Sequence, residues 1–133
     1  MALTLGTHTF GSNDTVIMAI VNRTPDSFYD KGATFADAAA LDRVHEVVAQ
    51  GAQMVDIGGV KAGPGEVVDP VAEIDRTVDF ISQVRTAYPD VIISVDTWRA
   101  EVGQAACEAG ADVINDAWGG WEPELAEVAA ANK

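Results

Sequence analysis

The sequence predicts an α/β protein, the N-terminal half of a (β/α)8 barrel with parallel strands behind an opening β-hairpin. Three observations predict it. First, strand-like apolar runs alternate with helical stripes four times along the chain. Second, Gly51-Ala52-Gln53-Met54-Val55-Asp56 is echoed by Gly110-Ala111-Asp112-Val113-Ile114-Asn115. The echo lies about sixty residues on, the length of two βα units of about thirty each. Third, every strand runs into a polar side chain at its carboxyl end: Val16–Val21 into Asn22, Met54–Val55 into Asp56, Ile92–Val95 into Asp96, and Val113–Ile114 into Asn115 and Asp116. Repeated βα units imply a parallel sheet with right-handed crossovers. Ligands of such sheets bind outside the carboxyl ends of the strands, where the loops converge. Four polar strand ends in register therefore predict one site built from several loops. A whole barrel needs eight units and about 250 residues. The 133 residues hold half of that and stop at Lys133 inside a helix, so a single domain over 1–133, incomplete at its C-terminus, is expected. A compact four-stranded open sheet is the alternative.

The elements follow in order. Leu3–Leu5 and Thr9–Phe10 flank Gly6-Thr7-His8 as a short hairpin. The run Val16–Val21 is apolar throughout, as in a strand covered on both faces. A polar loop, Asn22–Gly32, leads to a helix from Thr34, where Thr34 and Asp37 form a capping-box-like pair. Leu41, Val44, Val47 and Val48 give its apolar stripe, and Gly51 suits the left-handed position that ends it. After the strand Met54–Ile57 comes a glycine-rich loop, Gly58–Glu66. Asp69 then caps a second helix with Pro70 at its first position. Its predicted apolar face is Val71, Ile74, Val78, Ile81 and Val84, and Pro89 stops it. The strand Val91–Val95, a helix over 99–109 ended by Gly110, the strand Val113–Ile114 and a helix from about Pro123 complete the chain.

Composition narrows the function. Hydrophobic residues make up 48% of the chain and charged residues 22%, which reads as globular and soluble. A net charge of −13 opposes nucleic-acid binding, which needs basic patches for the phosphate backbone. No run reaches the roughly 18 apolar residues of a membrane span, and the start lacks a basic leader, so a cytoplasmic protein is expected. With one cysteine, Cys107, no internal disulfide can form; among Ala105, Ala106 and Ala109 it reads as a small buried apolar residue rather than a nucleophile.

The chemistry concentrates in the loops. Asn22-Arg23-Thr24-Pro25-Asp26-Ser27-Phe28-Tyr29-Asp30 offers oxygen ligands suited to a hard cation such as Mg²⁺, which usually binds through one or two protein groups plus substrate phosphates. An ordinary loop with Asx-turns has the same composition. Four segments together resemble the signatures of dihydropteroate synthases: Ile20–Asp30 with its Thr-Pro-Asp-Ser-Phe core; Val55-Asp56-Ile57-Gly58-Gly59 with Pro64-Gly65 downstream; Ser94-Val95-Asp96-Thr97 followed by Arg99-Ala100; and Gly110–Asp116 closed by Gly119-Gly120. The resemblance runs over residues 3–133, and the hairpin matches that family's plug under the barrel. It implies a pterin-binding barrel and a transferase of folate biosynthesis. Such an enzyme condenses 4-aminobenzoate with 6-hydroxymethyl-7,8-dihydropterin diphosphate and releases pyrophosphate. By the same resemblance Asn22 would hold Mg²⁺ on the diphosphate, Asp96 and Asn115 would bind the pterin, and Asp56 would support the floor of the site. The family's remaining contacts lie on later strands, so this segment alone is expected to be inactive. The family's homodimer forms through helices absent here.

The second loop departs from the family. Where the family reads Gly-Gly-Glu-Ser-Thr-Arg-Pro-Gly, this chain reads Gly58-Gly59-Val60-Lys61-Ala62-Gly63-Pro64-Gly65. Ala62 stands at the substrate-contacting Thr position and lacks its hydroxyl; Gly63 lacks the bidentate guanidinium of an Arg. Arg23 replaces a Val in the first loop, and Trp118 stands where the family has a small residue. A synthase and a catalytically inactive paralogue that binds pterins or sulfonamides, as a regulatory protein, therefore both remain open. The Thr-Pro-Asp-Ser-Phe run speaks against a third possibility, a pterin-binding methyltransferase barrel.

Overall fold

The computed structural model describes residues 1–24, 36–60 and 67–132. Strands β1 (Leu3–Leu5) and β2 (His8–Phe10) form an antiparallel hairpin. Then come β3 (Met18–Asn22), α1 (Asp37–Ala49), β4 (Met54–Gly58), α2 (Pro70–Ala87), β5 (Ile92–Asp96), α3 (Ala100–Ala109), β6 (Val113–Asn115) and α4 (Glu124–Ala131). The last four strands make one parallel sheet in the order β3-β4-β5-β6. Strands that follow one another in sequence and in space, each crossover passing through a helix, are the arrangement of half a (β/α)8 barrel.

Period-two alternation splits the sheet into two faces. Val21, Val55, Ile57, Ile93 and Val95 point one way and join Val44, Val47, Phe80, Ile81 and Val84 of the helices in a single apolar core. The opposite face carries two cross-strand rows. One is Ile20, Asp56, Ser94 and Val113; the other, one step nearer the carboxyl ends, is Asn22, Gly58, Asp96 and Asn115. Within residues 1–133 β3 pairs on one side only, with β4; its Val21 is buried against the helices, while Met18 and Ile20 on the opposite face are 43% and 47% exposed in this half of the barrel.

Two helices differ from expectation. Helix α1 begins at Asp37 after Ala36, with no side-chain cap; Thr34 lies outside the described residues. The Asp37 carboxylate instead accepts from Arg23 and from Gln83 Nε2. Helix α2 is capped as predicted, the Asp69 side chain accepting from Ala72 N at 2.7 Å with Pro70 in the first turn. Its buried stripe is rotated, however, to Glu73, Thr77, Phe80, Ile81 and Val84, leaving Val71 76% exposed. Close approach explains the rotation. A Cβ on Gly59 would stand 2.9 Å from Thr77 Cγ2 and 3.3 Å from Glu73 O, so α2 lies directly against the end of β4 there and presents small or polar groups to it.

At the amino ends of the strands, Arg85 gathers the chain. Its guanidinium donates to the carbonyls of Tyr88, Pro89, Val91 and Gly110 and to Asp112 Oδ2 at 2.6 Å. The same Asp112 oxygen accepts from Ile93 N. The hairpin packs here too, with His8 Nε2 bonded to Asp90 O at 2.6 Å. Gly110 ends α3 at φ 120°, and Arg85 Cγ would lie 3.0 Å from a Cβ built on it. We expect Arg85→Met in the full-length protein to lower unfolding free energy by about 2–3 kcal/mol, since part-buried carbonyls lose their donor. Denaturant unfolding that shows no loss would mean that water replaces the guanidinium.

Candidate active site

Parallel register brings Asn22, Asp96 and Asn115 into one row at the carboxyl ends of β3, β5 and β6, with Gly58 between the first two. Asp56 does not end its strand. Residues 57 and 58 continue the ladder, which places Asp56 one row deeper than the sequence predicts. Ala62 lies outside the described residues.

The deeper position makes Asp56 the hub of the floor. It is 4% exposed. Its Oδ1 accepts from Ser94 Oγ at 2.6 Å, and Asn115 Nδ2 donates to Oδ1 and Oδ2 at 3.4 and 3.3 Å. Burial raises the Asp56 pKa, and the Ser94 and Asn115 hydrogen bonds offset part of that rise. Because Asn115 spends its NH₂ on Asp56, its carbonyl oxygen is left as the acceptor. Asp96 leans over Gly58: a Cβ there would stand 3.3 Å from Asp96 Cβ and 3.5 Å from Oδ2. Burial raises the Asp96 pKa to about 6, with the charges of Asp56, Glu73 and Asp116 adding to the effect. A carboxylate poised this way at the mouth of a sheet is a feature of ligand sites.

The remaining polar residues of this end build the frame. Asp116 accepts from Trp118 N at 2.9 Å and Gly120 N at 2.7 Å, closing a turn in which Gly119 and Gly120 take φ 64° and 85°. That turn holds Trp118 on the loop after β6, 53% exposed. Arg23 turns away from the row into the space between helices. It is 4% exposed, donates from Nε to Arg76 O at 3.1 Å, pairs with Asp37 and lies 4.8 Å above the Phe80 ring. Burial lowers its pKa against the opposing pull of Asp37. Cys107 sits far from this chemistry in α3; burial and the charges of Asp112 and Glu108 raise its thiol pKa, the reverse of an activated nucleophile.

Sequence reasoning gave Ser94, Thr97 and Arg99 no role beyond their place in a family signature, and it missed Glu73. Ser94 had a signal, a hydroxyl at an alternate position of an otherwise apolar strand. Glu73 is fully buried in the first turn of α2, where it accepts from Thr97 Oγ1 at 2.6 Å and Arg99 Nη1 at 3.0 Å. No local pattern announces it.

Among the described residues no three His, Cys, Asp or Glu side chains converge as a metal cage. A cation that arrives with a substrate's phosphates needs only one or two protein oxygens, and an amide oxygen such as that of Asn22 is of the donor class it takes. Asn22 stands at the β3 end of the row, beside the Gly58 over which Asp96 leans. Two residues on, Thr24 Oγ1 is buried without a partner among the described residues.

Comparisons with known proteins agree with this geometry. A family model described as pterin binding enzyme matches residues 18–133. The chain is 70% identical over 115 residues to the inactive dihydropteroate synthase 2 of Mycobacterium tuberculosis H37Rv, covering 86% of this chain and 36% of that protein. It is 46% identical over 105 residues to the dihydropteroate synthase of Streptococcus pyogenes serotype M1, covering 78% of this chain and 39% of that protein. The Yersinia pestis dihydropteroate synthase, in a crystal structure with a sulfonamide drug complex, superposes with a TM-score of 0.91 at 36% identity over 99% of this chain and 48% of that one. The chain thus spans less than half the length of these relatives. With its strand order, its row of polar strand ends and a family match over residues 18–133, it belongs to the pterin-binding enzymes of the dihydropteroate synthase type.

Proposed function

We propose that these strand ends are the pterin-recognising half of an active site that joins 4-aminobenzoate to 6-hydroxymethyl-7,8-dihydropterin diphosphate. One observation carries the reading. The Asp96 carboxylate and the Asn115 carbonyl stand side by side in one row, the latter fixed by its bond to Asp56. A pterin's amino-pyrimidine edge presents adjacent N–H donors, which a carboxylate and an amide oxygen accept. The half-buried Asp96 carboxylate would also favour positive charge on the ring as the diphosphate departs. In the reaction the aniline nitrogen forms its bond to the methylene carbon while the carbon–oxygen bond to diphosphate breaks; the electron pair leaves with pyrophosphate and the nitrogen loses a proton. No protein nucleophile takes part. Asn22 would hold a Mg²⁺ on the diphosphate, where the ion neutralises the leaving group. The other diphosphate contacts would come from the remaining half of the barrel.

A second reading, pterin binding without turnover, is favoured by the second loop. Ala62 and Gly63 replace the family's Thr and Arg, and the loss of one charge-assisted bond costs about 1.5–3 kcal/mol. The Mycobacterium tuberculosis relative at 70% identity bears the name inactive.

Calorimetry on the full-length protein with the dihydropterin diphosphate, with and without Mg²⁺, followed by an assay for dihydropteroate, separates these readings. Mg²⁺-dependent binding with product is the synthase; binding without product is the paralogue; no binding by folded protein removes both. Asp96→Asn should weaken pterin binding by roughly tenfold or more. The same change should raise thermal stability above pH 6. A carboxyl whose folded pKa lies above its unfolded value contributes stability below about 3.8 and loses it as pH rises through about 6, and Asn has no charge to bury. Equal melting temperatures for the two proteins at pH 7.5 would show that Asp96 is not strained by its surroundings. Restoring the loop with Ala62→Thr and Gly63→Arg should tighten diphosphate binding by roughly tenfold; an unchanged Kd would move the defect elsewhere.

A further inference from the structure

Behind the row of strand ends lies a buried polar cluster that the pterin reading does not use. Its centre is Glu73, fully buried at the start of α2. Each of its carboxylate oxygens has a donor from the segment after β5: Thr97 Oγ1 at 2.6 Å and Arg99 Nη1 at 3.0 Å. Arg99 Nη2 reaches Val68 O at 2.6 Å, just before α2, and the guanidinium stacks 4.3 Å from the Trp98 ring. Thr97 Oγ1 also accepts from Arg99 N at 3.2 Å, and Thr97 N donates to Asn115 O at 3.1 Å. Thr97 thus directly follows Asp96, holds the main chain of Asn115 and hangs from Glu73. Burial of a carboxylate with no net apolar gain is costly to a fold, and removing one partner of such a pair destabilises it strongly. A packing role alone would be met by an apolar residue.

We propose that Glu73, acting through the Thr97 hydroxyl, is the positioning residue that sets Asp96 and Asn115 at the spacing a pterin edge requires. The inference rests on the pterin reading of Asp96. Glu73 touches no ligand; its effect passes along Thr97 into the main chain of both strand ends. The charged groups that face Asp96 are Asp56 from β4, Glu73 from α2 and Asp116 after β6, while Arg99 and Glu122 face Glu73. Removing the Glu73 charge therefore also takes a negative neighbour from Asp96.

The test is calorimetry of 6-hydroxymethyl-7,8-dihydropterin diphosphate binding to the full-length protein between pH 5 and 9. The variants are Thr97→Val, Thr97→Ser, Glu73→Gln and Asp96→Asn, each melted in parallel. The expected result is a roughly fivefold weaker Kd for Thr97→Val at the alkaline plateau, with Thr97→Ser within twofold of the parent, since it keeps the hydroxyl. Glu73→Gln should weaken the plateau likewise and move the midpoint of the pH dependence to lower pH. A merely structural cluster would lower melting temperature in these variants without moving Kd or midpoint in those that fold, and that result overturns the inference. If Glu73→Gln fails to fold, the Thr97 pair still decides it. Should the parent bind and Asp96→Asn lose binding while both Thr97 variants match the parent, the positioning inference alone falls. Should Asp96→Asn bind as the parent does, the pterin reading itself falls and takes the inference with it.

Discussion

Everything at the ligand end depends on one satisfied buried carboxylate. Asp56 occupies the open face of β4, where its burial favours the neutral form. Ser94 from β5 and Asn115 from β6 reach it across 38 and 59 residues of sequence. An unpaired carboxylate there would cost several kcal/mol, so the three strands are held to the one register that supplies both donors. A slip of one residue would turn Ser94 to the helix face and strand Asp56 without a partner. The apolar core selects the fold class; this polar contact selects the alignment of strands that makes a site.

The two rows of the open face divide the labour. The deeper row contains polar groups that satisfy one another, Asp56 and Ser94, between Ile20 and Val113. In the upper row Asn115 finds its partner one row deeper, in Asp56. Asp96 is half-buried and surrounded by three carboxylates. Strain of this kind belongs at ligand sites, where a bound donor relieves it.

Patterns that repeat over a few residues were legible in the sequence. The strands, the Asp69 cap, the Pro70 start and the Gly110 stop stand where their signals place them. So were Asn22, Asp96 and Asn115 as members of one row, because a strand's carboxyl end can be counted from its apolar run. The depth of Asp56 was not legible, because Gly58 reads as the start of a loop until its neighbours pair with it. Nor was the stripe of α2: Val71, Ile74 and Val78 form a good apolar face, but Glu73 and Thr77 are the ones buried. Their burial is decided by Gly59, just beyond the end of β4, and by Arg99, 26 residues from Glu73. Arg23 teaches the same lesson. The sequence shows it only as a substitution for Val in a polar loop; Asp37 and the Phe80 ring, distant in sequence, draw it between the helices.

Among the described residues, four guanidinium groups grip main-chain carbonyls. Arg85 holds four carbonyls, Arg99 holds that of Val68, Arg23 that of Arg76, and Arg76 that of Gly59. A carbonyl is present whatever residue carries it, so mutation cannot remove the acceptor. A scaffold fastened in this way tolerates drift in the side chains of its loops while their stems keep their places. A change at the positions of the family's Thr and Arg, here Ala62 and Gly63, then removes neither of the carbonyl acceptors at Gly59 and Val68, and a lineage can change what its loops do to a ligand without first loosening their stems.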